Sequence, residues 1–140
     1  MEVTVKFAGQ VKRARAGSDG RWEVRLKPLN ASRRPANLII EAGATRTFTN
    51  ILVGEVWLCS GQSNMEKPIG KQSGQKTVFN AEQELAASDF PEIRLFKVEK
   101  VVTAEPQNDF KRASGWQRCN SNSLEAIKFS AAGYFFGREI

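Results

Sequence analysis

Histidine is absent from the 140 residues, which removes at once the commonest metal ligand and the usual general base near neutral pH. Cysteine is scarce. Cys59 and Cys119 are too few for a disulfide framework and lack metal-ligand spacing, so a buried thiol is expected at each, with redox state left open. No apolar run approaches the eighteen or so residues that a membrane-spanning helix needs, which argues against a membrane partner. Met1-Glu2-Val3-Thr4-Val5 also lacks the basic-then-apolar order of an export signal, so the residues leave the compartment unread.

What is there is ordinary for a folded protein: 41% apolar and 26% charged residues, in a length that suits one domain or two half-cores. The net charge of +6 is unevenly placed. Residues 1 to 53 hold ten Lys and Arg against four acids, while the remainder holds eleven of each. Lys12, Arg13, Arg15, Arg21, Arg25 and Lys27 are spread through alternating patterns rather than set beside stacking aromatics. A solvated sheet face is the reading, and no nucleic-acid partner is expected.

Val3-Thr4-Val5-Lys6-Phe7 and Trp22-Glu23-Val24-Arg25-Leu26 alternate with period two and predict half-buried antiparallel strands, with a turn at Gly17-Ser18-Asp19-Gly20 between them. Asn37 to Glu41 and Thr45 to Phe48 flank a second turn, Ala42-Gly43-Ala44. Residues 1 to 53 are therefore expected to be a β-rich, sandwich-like segment. From residue 54 the pattern changes. Glu55-Val56-Trp57-Leu58-Cys59 is a short, nearly continuous apolar run, the pattern of a strand covered on both faces. Val78 to Ala87 predicts a helix and Ile93 to Val98 a strand, an order that points to a parallel sheet. Val101 to Asn122 reads as irregular around a packed Trp116. At the end, Phe129, Ala132, Phe136 and Ile140 recur at helical spacing. That helix runs into the last residue without a capping glycine, so the chain is expected to be cut there, its apolar face packed on something absent or left exposed. Trp57, Phe96, Trp116, Tyr134, Phe135 and Phe136 are assigned to the core rather than to a sugar-stacking platform.

Chemistry is expected just past the apolar run. In Cys59-Ser60-Gly61-Gln62-Ser63-Asn64-Met65 a serine follows the strand in a tight turn, where its hydroxyl can be exposed and nearby amides can gather around a developing oxyanion. A serine in such a place is ordinarily just a turn residue. Gln62 and Asn64 flank it and can bind a sugar or hold the turn. Lys67 misses the Ser-x-x-Lys spacing, and Ser73 to Lys76 has that spacing without its companion motifs. Glu55 and Glu66, as ordinary exposed carboxylates, are weak bases for a hydroxyl. Gly70 to Thr77 fails as a phosphate loop, since Gln75 intervenes before Lys76 and no strand feeds it.

The block Gly54-Glu55-Val56-Trp57-Leu58-Cys59-Ser60-Gly61-Gln62-Ser63-Asn64-Met65-Glu66 resembles the nucleophile block of the sialate O-acetylesterases, within the broader SGNH (GDSL-like) hydrolases. Ser18 to Val24 and Phe129 to Glu139 are similar to the same family. The resemblance implies a three-layer α/β/α domain with a parallel sheet over residues 54 to 140, truncated at its carboxyl end and preceded by β-rich structure. It implies removal of O-acetyl groups from sialic acids or related sugars, with no metal or other cofactor, in an exported or lysosomal setting. Ser63 matches the nucleophile and its N–H one oxyanion donor. The family's glycine, asparagine, aspartate and histidine lie in later blocks with no match here. A second polypeptide or a missing carboxyl-terminal portion must then supply them, and the chain alone is expected to be nearly inactive. The alternative is a noncatalytic carbohydrate-binding or scaffold domain.

Overall fold

The computed structural model describes residues 1–110 and 113–140; Lys111 and Arg112, within the stretch expected to be irregular, lie outside the described residues. The chain forms two compact units, Met1–Trp57 and Leu58–Ile140. Together they make a mixed α/β protein with one four-stranded and one two-stranded sheet, and among the described residues every strand pair is antiparallel.

In the first unit β1 (Glu2–Phe7), β2 (Gln10–Arg15), β3 (Ser32–Ala42) and β4 (Ala44–Val53) lie in the order β2-β1-β3-β4. The alternation of β1 becomes burial on one face, with Val3, Val5 and Phe7 inside. Ala8 and Gly9 both take positive φ, 46° and 76°, the two-residue turn that matches strand twist and sets Phe7 opposite Gln10. The β3–β4 hairpin turns at Gly43, φ 73°, so that Ala42 faces Ala44. Its ladder is irregular between Ser32 and Leu38, where Pro35 has no N–H to give, and Asn50 on the facing strand adopts φ 59°. The strand expected over Trp22–Leu26 does not form. Val24 and Leu26 stay partly buried between exposed neighbours, so the alternation survives as burial, but no strand offers them a ladder. Just beyond, the Gln10 side-chain amide pairs with the backbone of Lys27, accepting from its N–H at 2.8 Å and donating to its carbonyl at 3.1 Å.

The second unit contains α1 (Ser63–Glu66), α2 (Ala81–Ala86), β5 (Phe90–Leu95), β6 (Gln117–Cys119), α3 (Ser121–Ala126) and α4 (Ala131–Glu139). Two expectations are corrected here. Glu55–Cys59 has no regular structure, and Val56 and Leu58 are 80% and 93% exposed. A strand covered on both faces needs sheet neighbours and flanking layers, and the described residues give it neither. The strand after α2 pairs antiparallel with β6 rather than parallel with an earlier strand. Helix α2 starts later than its periodicity predicts, because Asn80 takes the left-handed conformation at φ 54°. Strand β6 lies within the stretch expected to be irregular, and helix α3 begins in its last two residues. The helix is fixed by a capping box: Asn120 Oδ1 accepts from Ser123 N–H at 2.9 Å, and Ser123 Oγ accepts from Asn120 N–H at 3.1 Å.

The core of this unit is Ile69, Leu95, Cys119, Leu124, Ala131 and Tyr134, with Leu85, Phe90, Phe129 and Phe135 packed against it. The buried face of α4 is therefore Ala131 and Tyr134, whereas Ala132, Phe136 and Ile140 of the expected stripe are exposed. The aromatic assignment is also corrected. Tyr134 is in the core, but Trp57 is 58% exposed, and Trp116 is 64% exposed beside Phe96, ring centroids 5.1 Å apart. Both cysteines are free; Cys119 is buried and Cys59, against expectation, is exposed.

Candidate active site around Ser63

Ser63 opens α1, a single helical turn, and its residue is exposed. Gln62 precedes the turn with non-helical φ −113°, ψ −142°, and its carbonyl accepts from Met65 N–H at 2.9 Å and Glu66 N–H at 3.2 Å. The first amides of any helix have no carbonyl a turn behind them, so those of Ser63 and Asn64 are left free of intrahelical bonds. Residues two apart on a helix face opposite ways. Met65 is the partly buried member of this turn, while Ser63, Asn64 and Gln62 are exposed together.

The turn is fastened to the amino end of α4. Lys67 carbonyl accepts from Ala131 N–H at 2.8 Å, and Pro68 and Ser130 form a short antiparallel bridge. Ser130 Oγ donates to the Met65 thioether at 3.1 Å while accepting from Gly133 N–H at 3.2 Å. Two glycines make this approach possible. A Cβ on Gly61 would sit 3.1 Å from Met65 Cβ, and one on Gly133 would sit 3.4 Å from Cys59 Sγ. The two stretches that carry the family resemblance in this unit, Leu58 to Glu66 and Phe129 to Glu139, are thus packed on each other.

Charge gathers on the other side of the turn. Glu66 is ion-paired with Lys100. Lys97, whose ammonium donates to the Lys128 carbonyl at 2.6 Å, is held below the ordinary lysine range, chiefly by burial and opposed by the Glu66 carboxylate. Lys97 and Ser130 are the residues of this neighbourhood that sequence reasoning missed, since they lie 34 and 67 positions from Ser63. Asn120-Ser121-Asn122-Ser123, by contrast, carried a legible helix-start signal.

Of the residues expected to act, Gln62, Ser63 and Asn64 are adjacent at one exposed turn, and the Ser63 hydroxyl has no hydrogen-bond partner among the described residues. A cleft of about 540 Å³ in the same unit is lined by Pro68, Lys71, Asn80, Leu85, Leu124 and Glu125 among others, and Ser63 is not part of it. Among the described residues no group of three Cys, Asp or Glu side chains is placed to hold a metal ion.

Ser63 is thus an exposed serine on a short turn packed through glycines on a helix, and comparison with known proteins relates the chain to carbohydrate esterases. The relatives are sialate O-acetylesterases. The mouse protein (Mus musculus) is 29% identical over 126 aligned positions, 84% of this chain and 22% of its own length. The rat protein (Rattus norvegicus) is 28% identical over 146 positions, 98% of this chain and 25% of its own. The human protein is 30% identical over 96 positions, 65% of this chain and 17% of its own. The likeness first read from the Ser63 block is therefore shown, and the chain spans a quarter or less of these curated relatives' length. No family model matches the chain, and no solved structure does.

Proposed function

We propose that the chain carries the nucleophile of a carbohydrate esterase that removes O-acetyl groups from sialic acid or related acetylated sugars, with Ser63 attacking the acetyl carbonyl. The observation that carries this reading is the exposed Ser63 at the start of α1, inside the block that resembles the nucleophile block of the sialate O-acetylesterases. In this reading the Ser63 and Asn64 amides contribute to the oxyanion site, and Gln62 and Asn64 bind the sugar. The base comes from elsewhere, because these residues include no histidine and a hydroxyl near its free pKa is a poor nucleophile. A further polypeptide region supplies the histidine, aspartate, glycine and asparagine of the family. On joining it, Glu55–Cys59 becomes a strand of a parallel, three-layer α/β/α domain, which gives the exposed Val56 and Leu58 their cover. A serine-directed fluorophosphonate is the test. In the complex of this chain with the histidine-bearing region, Ser63 is expected to be labelled, and labelling that persists unchanged in Ser63→Ala refutes the assignment.

The absence of histidine favours a second reading if no such region exists: a noncatalytic carbohydrate-binding or scaffold domain that keeps the block as a fold element. Sugar binding without any fluorophosphonate labelling would select it.

A further inference from the structure

The contact between Met65 and Ser130 has no part in the reading above, yet it joins the two segments on which that reading depends. Met65 lies two residues after Ser63 in the single turn of α1, so an inward Met65 side chain leaves the Ser63 side chain on the outer side. The inward position is defined on three sides. Gly61 backs onto Met65 closely enough that even a methyl group would stand 3.1 Å from its Cβ. The thioether accepts the Ser130 hydroxyl proton at 3.1 Å. Behind Ser130, the same oxygen accepts from Gly133 N–H at 3.2 Å, and Ala131 N–H holds the Lys67 carbonyl at 2.8 Å. One hydroxyl thus caps α4 and ties α1 to it, and both of its bonds are used in fixed directions.

We propose that Ser130 and Met65 form a latch that holds the serine turn outward, making both positioning residues for Ser63; this rests on Ser63 being the nucleophile. A four-residue helix has too few internal bonds to keep its own shape, because the first turn fixes several dihedrals for one or two hydrogen bonds. Its geometry must come from what it touches. The latch supplies that geometry through a sulfur, a weak acceptor chosen by shape, where a leucine of similar bulk fills the space without receiving the proton.

The test compares Met65→Leu, Ser130→Ala, Ser130→Thr and the Met65→Leu/Ser130→Ala pair in two measurements. In the chain alone, hydrogen exchange of the Met65 and Glu66 amides reads the turn directly. Protection is expected in the parent and in Ser130→Thr, and its loss in Met65→Leu and Ser130→Ala. In the complex with the histidine-bearing region, fluorophosphonate labelling of Ser63 is expected to slow about fivefold in either single variant, the rate equivalent of one ordinary hydrogen bond. The double variant is expected to be no slower than Ser130→Ala, since the two residues act as one unit. Met65→Leu leaves the Ser130 cap on α4 intact, so a merely structural role for Ser130 predicts parent-like labelling and exchange in that variant, and this result overturns the latch. If the parent itself labels no faster than Ser63→Ala, the nucleophile assignment fails and the latch falls with it.

Discussion

Replacing Tyr134 by phenylalanine removes one oxygen atom from the core of the second unit and nothing else. Tyr134 is 2% exposed, and its ring packs on Phe135 and Phe90 with centroids 5.2 and 6.1 Å away. The hydroxyl is buried without a hydrogen-bond partner of normal geometry among the described residues. Burial pushes its ionisation above the ordinary tyrosine range, and a contact with the Arg138 guanidinium that falls short of normal hydrogen-bond geometry only partly offsets this. An unpaired buried hydroxyl costs about 1–3 kcal/mol, whereas the small void left by its removal costs only a few tenths, roughly 24 cal/mol per Å³. Phenylalanine retains the ring contacts. Tyr134→Phe is therefore expected to stabilise the chain by about 1 kcal/mol, or roughly 4–8 °C in midpoint for a unit of this size. Tyr134→Ala is expected to cost about 3–5 kcal/mol through the cavity it opens. Urea unfolding followed by circular dichroism measures both. Because Tyr134 is the only tyrosine in the chain, ultraviolet titration follows its ionisation alone, which should occur above the ordinary range in the folded state. A Tyr134→Phe variant less stable than the parent by 1 kcal/mol or more would refute the reasoning, since the hydroxyl would then be making a bond that stabilises the fold.

Gly61→Ala forces Met65 or the turn itself to shift by a few tenths of an ångström, because the added methyl meets a Cβ and not the end of a flexible chain. It is expected to destabilise by about 1–3 kcal/mol and to expose the Met65 amide to exchange, both read by hydrogen-exchange mass spectrometry. The two thiols should separate cleanly at pH 8, with Cys59 reacting at once with a disulfide reagent and Cys119 only as fast as the unit opens. Burial pushes the Cys119 thiol from an ordinary 9.0 up to about 11, with Asp89 adding to the shift. A raised thiol pKa favours the neutral folded form, so its contribution is complete below pH 9 and is lost as pH rises towards 11. Unfolding free energies of the parent and Cys119→Ala should accordingly converge between those limits, and a constant difference would argue against it.

How much of this was legible in the residues depended on whether the information was local. The β1 alternation, the turns at Gly17–Gly20 and Gly43, and a helix at the end follow from side-chain periodicity and from glycine's freedom at positive φ, and the structure has them all. So does the serine of the Ser63 block, which is exposed at a turn. The capping box that starts α3 was equally local and went unread. Trp22–Leu26 and Glu55–Cys59 look like strands in the sequence, but a strand is completed by a neighbour's carbonyls and amides, and no nearby residue says whether that neighbour is there.

The face that α4 buries was a matter of tertiary packing. Two apolar stripes compete on that helix, and Phe90, Leu95 and Cys119 select the one through Ala131 and Tyr134. The same holds at the site. The sequence by itself determined that the Ser63 hydroxyl is presented at a turn, though not that the turn is helical. Only the folded chain decided what holds that turn, bringing Met65 to Ser130 across 65 positions and Glu66 to Lys100 across α2 and β5. The physical reason is common to every such case: dihedral preference is a property of a few adjacent residues, whereas packing and pairing depend on distances that chain closure alone sets.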